Sequence, residues 1–324
     1  MTRKNFYLKT SCYFKADFVK ICFSVSVLFA SILLSTLYST KISIYTQRGL
    51  LICFNAIIPA IFPYMILSDL MLANMHFEKI PILKNAFWRL FKINSYALGA
   101  FIAGLICGFP TGVKLAKELY LSGKISKNEF ERLIGFSNNP SPAFTVGGIG
   151  YALRGKISDG ILLMLANILA SILVGFLFSI GKKEANNIVE NSDFYSFSLV
   201  KSVKEASLNT LVSCGFITLF SVLLGIISDF IPDGFLLTLI ASLLELGNAA
   251  KIISASKFPY LFKITFSAFA LSFSGISVHL QSKSIISDLN ISMKKYIIMK
   301  LLCGIFSAFT VLATLSLISF FRNP

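Results

Sequence analysis

The segment GFPTGVK, residues 108–114, carries residue types suited to holding an anion. Pro110 has no backbone N–H and ends a helix, Gly112 permits close approach of a second backbone, and Thr111 can cap the helix that follows. Free N–H groups at a helix N-terminus attract negative charge, and Lys114 adds a cation. The alternative is a packing kink whose lysine side chain extends towards water.

A second polar segment, SNNPSP at residues 137–142, lies inside an uncharged stretch that spans residues 133–153. Ser137, Asn138 and Asn139 are costly at membrane depth unless they bind something. The segment therefore predicts part of a binding site. The alternative is an ordinary loop at the membrane surface.

Further candidates lie in the second half of the chain. Glu245 and Asn248 interrupt one apolar segment, and Lys251 is a possible partner of the acid. An acid within a membrane segment indicates function, whereas Asp69, near the end of its apolar run, is equally well explained as an interfacial acid. The next apolar segment is interrupted by small polar residues and by a histidine that either carries a proton or satisfies a local hydrogen bond; these are Ser274, Gly275, Ser277 and His279.

The elements that must position these residues are membrane helices. Hydrophobic residues make up 55% of the 324-residue chain and charged residues only 14%, whereas soluble domains carry about a quarter charged residues. Uncharged stretches near the ~20 residues that a spanning helix needs occur at residues 21–38, 49–68, 160–181, 206–228 and 301–321. We therefore expect an all-α polytopic membrane protein.

Two segments in each half are apolar but contain glycine, proline or polar residues that would break a helix. Each half therefore consists of one full-length span, two broken segments and a second full-length span. Broken helices in corresponding positions of two halves indicate a transporter site. The predicted organisation is an N-terminal segment and first span at residues 1–48, a gate-like repeat at 49–181, a linker at 182–205 and a second repeat at 206–324. Between the broken segments of the first half, Ser126 and Glu129 predict a capping box.

Charge predicts the topology. The formal net charge is +15, and basic residues precede the first span and recur at residues 74–95. The positive-inside rule places both regions in the cytoplasm, with Trp88 as an interfacial anchor. This charge is explained by cytoplasmic loops and anionic lipid rather than by nucleic acid.

Enzyme signatures such as G-x-S-x-G and H-E-x-x-H do not occur in the sequence, and we expect no enzymatic activity, cofactor or metal. The six cysteines include no C-x-x-C pair, and we interpret them as small hydrophobic residues. The expected partners are membrane lipid and a small anionic substrate. The sequence leaves the oligomeric state open.

The motifs in combination resemble those of the YlbJ-type sporulation integral membrane proteins. The resemblance is carried by GLICGFPTGVKL at 104–115, FSNNPSP at 136–142, LELGN at 244–248 and FSGISVHLQ at 273–281. It covers roughly residues 50–320. It implies a nucleoside-recognition or gate-type fold in the outer forespore membrane.

The resemblance also implies a role in moving dipicolinic acid, a small aromatic dicarboxylate, towards the forespore. Helix N-termini, lysines and hydroxyl groups suit such a cargo, and Phe109 and Phe144 are placed to stack on its ring. Two alternatives remain open: a protein that organises spore envelope or cortex assembly without transport, and a nucleoside-type permease.

Overall fold

The structure, a computed structural model, describes residues 36–74, 79–182 and 197–322, and no strand occurs among them. The first predicted span, residues 21–38, lies almost entirely outside this part of the chain, as do Cys12 and Cys22. Five helices in the described residues are long and apolar enough to cross a membrane. The expectation of an all-α polytopic membrane protein is confirmed.

The first half begins with a long helix, α1 (Ser39–Asn74), which contains a π-helical segment at Cys53–Ile57. Five short helices follow, and then a second long helix. They are α2 (Pro81–Phe91), α3 (Ala97–Cys107), α4 (Thr111–Leu121), α5 (Lys127–Ser137), a π-helical segment Ala143–Gly150 that runs into α6 (Tyr151–Arg154), and the long α7 (Ile157–Leu177).

The second half has the same order of long and broken elements. These are α8 (Leu199–Phe230), α9 (Phe235–Leu244), α10 (Leu246–Ala255), α11 (Tyr260–Phe273), α12 (Gly275–Ile285) and α13 (Lys294–Arg322). The helices α3, α4, α9 and α10 have ten or eleven residues each. At 1.5 Å per residue they are too short to cross a bilayer singly.

The two halves pack against each other through equivalent elements. Helix α1 packs against α8, and α7 packs against α13, so that the first long helices meet and the last long helices meet. The broken helices lie between these two pairs. The domain boundaries predicted from the sequence stay predictions.

Hydrogen bonds and ion pairs join the termini of neighbouring helices at each of the two opposite ends of the bundle. At the first end, the Arg132 guanidinium donates to the backbone oxygens of Phe91 and Lys92 at 2.6 and 2.7 Å. At the second end, Lys41 pairs with Asp229 at 3.0 Å. Because each long helix runs from one end to the other, the ends correspond to the two faces of a membrane.

Two further contacts belong to these ends. Lys117 pairs with Asp288 at 2.7 Å at the first end, and this hydrogen bond lowers the pKa of the Asp288 carboxyl. Arg154 pairs with Asp159 at 2.6 Å at the second end.

The amphipathic helix α2 lies at the first end. Phe87 and Phe91 on one side of it are buried, and Phe91 stacks on Phe136 with ring centroids 4.6 Å apart. Trp88 is partly exposed, and the Lys92 ammonium lies 3.9 Å from the centre of its ring. This placement suits the interfacial anchor predicted for Trp88.

Candidate functional site

The two helix breaks of the first half touch each other. Helix α3 ends at Cys107, the Phe109–Pro110 peptide is cis, and α4 begins at Thr111, as the proline predicted. A Cβ atom added at Gly112 would overlap the carbonyl oxygen of Ser137, the last residue of α5. Glycine is therefore required for the backbones of the two breaks to meet.

The capping predictions for these helices have different outcomes. Ser126 and Glu129 form the predicted capping box at the start of α5. The prediction for Thr111 is wrong, because Thr111 is already the first helical residue and makes no cap bond. Its hydroxyl is buried and has no hydrogen-bond partner among the described residues.

The two breaks of the second half also touch each other. Glu245 separates α9 from α10, and Ser274, with φ of 77°, separates α11 from α12. A Cβ atom on Gly275 would lie 3.1 Å from the Leu244 carbonyl oxygen. The predicted site residues therefore lie at two pairs of helix breaks, one pair in each half, and the two breaks of each pair are in contact.

Glu245 is the N-cap of α10. Its carboxylate accepts from the Gly247 and Asn248 backbone N–H groups at 2.8 and 2.7 Å, and from the Asn248 side chain at 2.7 Å. The prediction that Lys251 pairs with it is wrong: no ion pair joins these two described residues, and Lys251 is exposed. The carboxylate turns towards its own helix, where three donors and the helix dipole satisfy it.

The other predicted residues of the second half have local partners. Asn248 donates to Ser221 on α8 at 2.8 Å, and Ser277 accepts from Gln281 at 3.3 Å. The His279 ring nitrogen lies 2.8 Å from the Phe273 carbonyl oxygen. His279 therefore satisfies a local hydrogen bond, as one sequence interpretation held, and a proton-carrying role stays a prediction.

Asn138 connects the breaks of the first half to the second half. Its amide group donates to Ser282 on α12 at 3.0 Å and to the Tyr296 hydroxyl on α13 at 2.8 Å. The Lys300 ammonium, also on α13, donates to the Asn138 backbone oxygen at 2.8 Å. Because all four residues are buried, this is an interior polar contact between the halves.

Asn139 makes a second connection. Its side-chain oxygen accepts from Ser171 at 2.7 Å and from Asn167 at 3.3 Å, and Asn167 in turn accepts from Ser272 at 2.8 Å. Ser272 lies two residues before the break at Ser274. We call these residues, together with Ser137, which directly precedes Asn138, the central polar cluster: Ser137, Asn138, Asn139, Asn167, Ser171, Ser272, Ser282, Tyr296 and Lys300.

Lys114 has a different partner from the predicted anion. Its ammonium is 2.7 Å from both carboxylate oxygens of Asp69 and 3.4 Å from Glu205. Asp69 is fully buried within the bundle, and whether it lies at the depth of the membrane interface stays a prediction. Because Asp69 compensates its charge, Lys114 does not present the free cation that the sequence predicted.

Sequence reasoning missed Asn167, Tyr296 and Lys300. Lys300 directly precedes the uncharged stretch at 301–321, but α13 begins at Lys294, so Lys300 is nearly two turns inside the helix. Ser292, whose hydroxyl accepts from the Lys294 N–H at 3.3 Å, is the local signal for this earlier start.

A small cavity of about 40 Å³ lies next to the first pair of breaks. Phe109 and Phe144 both line it, together with Gly108 and Ser141. The predicted ring-stacking residues therefore share one cavity. Its volume holds a water molecule, so an aromatic ligand enters only if the helices around it separate.

No cluster of three or more metal-ligating side chains occurs in the described ranges. The four cysteines described, Cys53, Cys107, Cys214 and Cys303, are free and buried in helices, as expected for small hydrophobic residues.

Fold and site together define a polytopic α-helical membrane protein in which two pairs of broken helices meet around buried polar groups. The chain is similar to the sporulation integral membrane protein YlbJ of Bacillus subtilis (strain 168), with 27% identity over 310 aligned positions; the match covers 82% of this chain and 76% of the relative. This similarity confirms the resemblance to YlbJ-type proteins that the motifs predicted. No family model and no solved structure matches the chain.

Proposed function

We propose that the protein is a sporulation-associated membrane transporter that moves a small aromatic dicarboxylate of the dipicolinic acid type. Its place would be the outer forespore membrane. The similarity to a sporulation integral membrane protein supports the sporulation role. The transport role and the substrate rest on the physical features of the site.

The observation that carries the proposal is the burial of the central polar cluster between two pairs of broken helices. Ser137, Asn138 and Asn139 are each 0% exposed, although they interrupt an apolar region. Irregular backbone at membrane depth is tolerated only inside protein or around a wet cavity. Transporters place their substrates where discontinuous helices of two halves meet.

The chemistry of the site favours an anion over a nucleoside. Lys300 supplies a buried ammonium, and the positive end of the α4 helix dipole lies at the first break. These groups suit carboxylates. The aromatic side chains of Phe109 and Phe144 suit a planar ring once the cavity between them opens.

A ligand-stabilisation screen of the detergent-purified protein tests the substrate class. A ligand that binds only the folded protein stabilises it by RT ln(1 + L/Kd), where L is the ligand concentration, so the apparent melting temperature rises with ligand concentration. We expect pyridine-2,6-dicarboxylate to raise it at micromolar to millimolar concentration, and benzoate to act more weakly.

The same screen separates the competing functions. A response to nucleosides and none to dicarboxylates would favour the permease alternative. Absence of any response to either class would favour an envelope-assembly role without transport.

A further inference from the structure

Lys300 is a buried lysine that has no carboxylate partner among the described residues. The residue is 0% exposed, and within the described part of the chain no carboxylate lies within 4.0 Å of its ammonium. The contrast with Lys114 is direct, because two carboxylate oxygens of Asp69 surround that ammonium. A charged group removed from water without a counter-charge is costly. The described residues therefore do not supply the counter-charge that a purely structural role of Lys300 would need.

Lys300 and the first pair of breaks carry hydrogen-bond donors that have no partner in the described structure. An ammonium has three N–H donors, and the described structure occupies one of them, with the Asn138 backbone oxygen. The hydroxyls of Ser137 and Thr111 are buried and have no hydrogen-bond partner in the same ranges. Buried hydroxyls without partners are uncommon in folded proteins and call for an explanation.

These donors belong to one region. Ser137 and Asn138 are consecutive, and Gly112, next to Thr111, packs on the Ser137 carbonyl. The Tyr296 ring, one turn before Lys300 on α13, contacts the His279 ring edge-on with centroids 5.3 Å apart. A second nitrogen base thus lies on the same side of the cluster, and no acid of the described residues faces it.

We propose that Lys300, with the hydroxyls of Ser137 and Thr111, is the subsite that binds a carboxylate group of the transported ligand. This rests on the proposed function and deepens it. The ammonium compensates one carboxylate, and the two hydroxyls donate to its oxygens. Lys114 has the separate task of pairing with Asp69.

Burial of the subsite requires the breaks to separate when the ligand binds. The small cavity beside Gly108 and Ser141 marks where this opening begins, because Ser141 follows Asn138 by three residues and Gly108 packs against it. In the closed form the Asn138 backbone oxygen accepts the hydrogen bond from the Lys300 ammonium, and the ligand carboxylate takes its place on binding. The ligand carboxylate replaces a neutral oxygen with a charged one, and this exchange favours binding.

The test compares Lys300→Gln with Lys294→Gln, an exposed lysine on the same helix. Thr111→Val and Ser137→Ala are additional variants that remove hydroxyls which have no partner, so they should fold like the parent. The probe is pyridine-2,6-dicarboxylate, and the readouts are its dissociation constant for the purified protein and its counterflow in proteoliposomes.

We expect Lys300→Gln to weaken binding at least tenfold without lowering the melting temperature of the ligand-free protein. Thr111→Val and Ser137→Ala should each weaken binding severalfold, and Lys294→Gln should match the parent. The proposal is overturned if Lys300→Gln and Thr111→Val both bind the dicarboxylate with the dissociation constant of the parent protein. Should Lys300→Gln fail to fold, parental affinity in both hydroxyl variants overturns it.

The two readouts separate this proposal from the proposed function. Counterflow that persists in Lys300→Gln at parental affinity contradicts the subsite but leaves transport in place. Lysine-dependent binding without counterflow supports the subsite and contradicts transport. Absence of binding to the parent protein overturns both.

Discussion

The Lys114 ammonium lies 2.7 Å from both carboxylate oxygens of Asp69, and both side chains are almost completely buried. The pair joins α1 to the short helix α4, whose N-terminus forms the first break. Glu205, on α8 of the other half, is 3.4 Å from the same ammonium. The ion pair therefore holds a broken helix in place against both halves.

We expect Lys114→Met to destabilise the protein by about 3–5 kcal/mol, because it leaves the buried Asp69 carboxylate without its partner. Asp69→Asn should cost less, because Glu205 still faces the Lys114 ammonium at 3.4 Å. The double variant should lose much less than the sum of the two. Thermal or denaturant unfolding of all three purified variants measures this coupling. Additive losses would show that the two side chains do not stabilise each other.

Close packing of the breaks gives a second prediction. Gly112→Ala places a methyl group on the Ser137 carbonyl oxygen, which is backbone and cannot move aside. We expect a loss of at least about 2–3 kcal/mol or failure to accumulate in the membrane. The yield and melting temperature of the purified variant are the measurements.

Gly147→Ala is the matched control, because a Cβ atom on Gly147 meets nothing within 4 Å. It lies in a helical segment, where alanine is favoured over glycine by up to ~1 kcal/mol. We expect it to be neutral or slightly stabilising. Equal losses in the two variants would argue against the contact between the first two breaks.

Glu245 gives a third prediction that follows from its cap geometry. Glu245→Gln replaces one acceptor oxygen with an amide donor that faces backbone N–H groups. We expect a loss of about 1–2 kcal/mol, typical of a lost N-cap. Equilibrium unfolding measures this loss of stability. An unchanged melting temperature would show that Glu245 does not stabilise the protein as an N-cap.

The orientation of the bundle is a fourth prediction. The loops at the first end carry many more basic residues than those at the second end, including Lys79, Lys84, Arg89, Lys92, Lys124, Lys127 and Lys182. The positive-inside rule places the first end in the cytoplasm. Lys84 and Lys257 are exposed at opposite ends.

Single cysteines at these two positions, in a background with Cys12 and Cys22 replaced by serine, report the orientation. An impermeant thiol reagent added to intact cells should label Lys257→Cys and not Lys84→Cys. The reverse pattern would invert the topology. Labelling after permeabilisation controls for the reactivity of each site.

Local chain chemistry accounts for what the sequence predicted well. Pro110 stops a helix and Ser126 with Glu129 starts one, because each acts on its own neighbouring backbone groups. Long uncharged runs predict spanning helices for a similar reason. The positions of the four breaks followed from these local rules.

Pairings between distant segments could not be predicted in the same way. Asp69 and Lys114 are 45 residues apart, and nothing in either segment specifies the other as its partner. Lys251 lies six residues after Glu245, but the carboxylate is satisfied by the nearer backbone N–H groups of Gly247 and Asn248. Lys300 was missed because the helix containing it begins six residues before it, at Lys294.

The central claim is that this bundle transports a small aromatic dicarboxylate. Uptake of radiolabelled pyridine-2,6-dicarboxylate into proteoliposomes containing the purified protein tests it most directly, with protein-free liposomes as the control. We predict saturable uptake that unlabelled dicarboxylate inhibits and that nucleosides leave unchanged. Uptake no faster than into protein-free liposomes, by protein shown to be folded and inserted, would contradict the account.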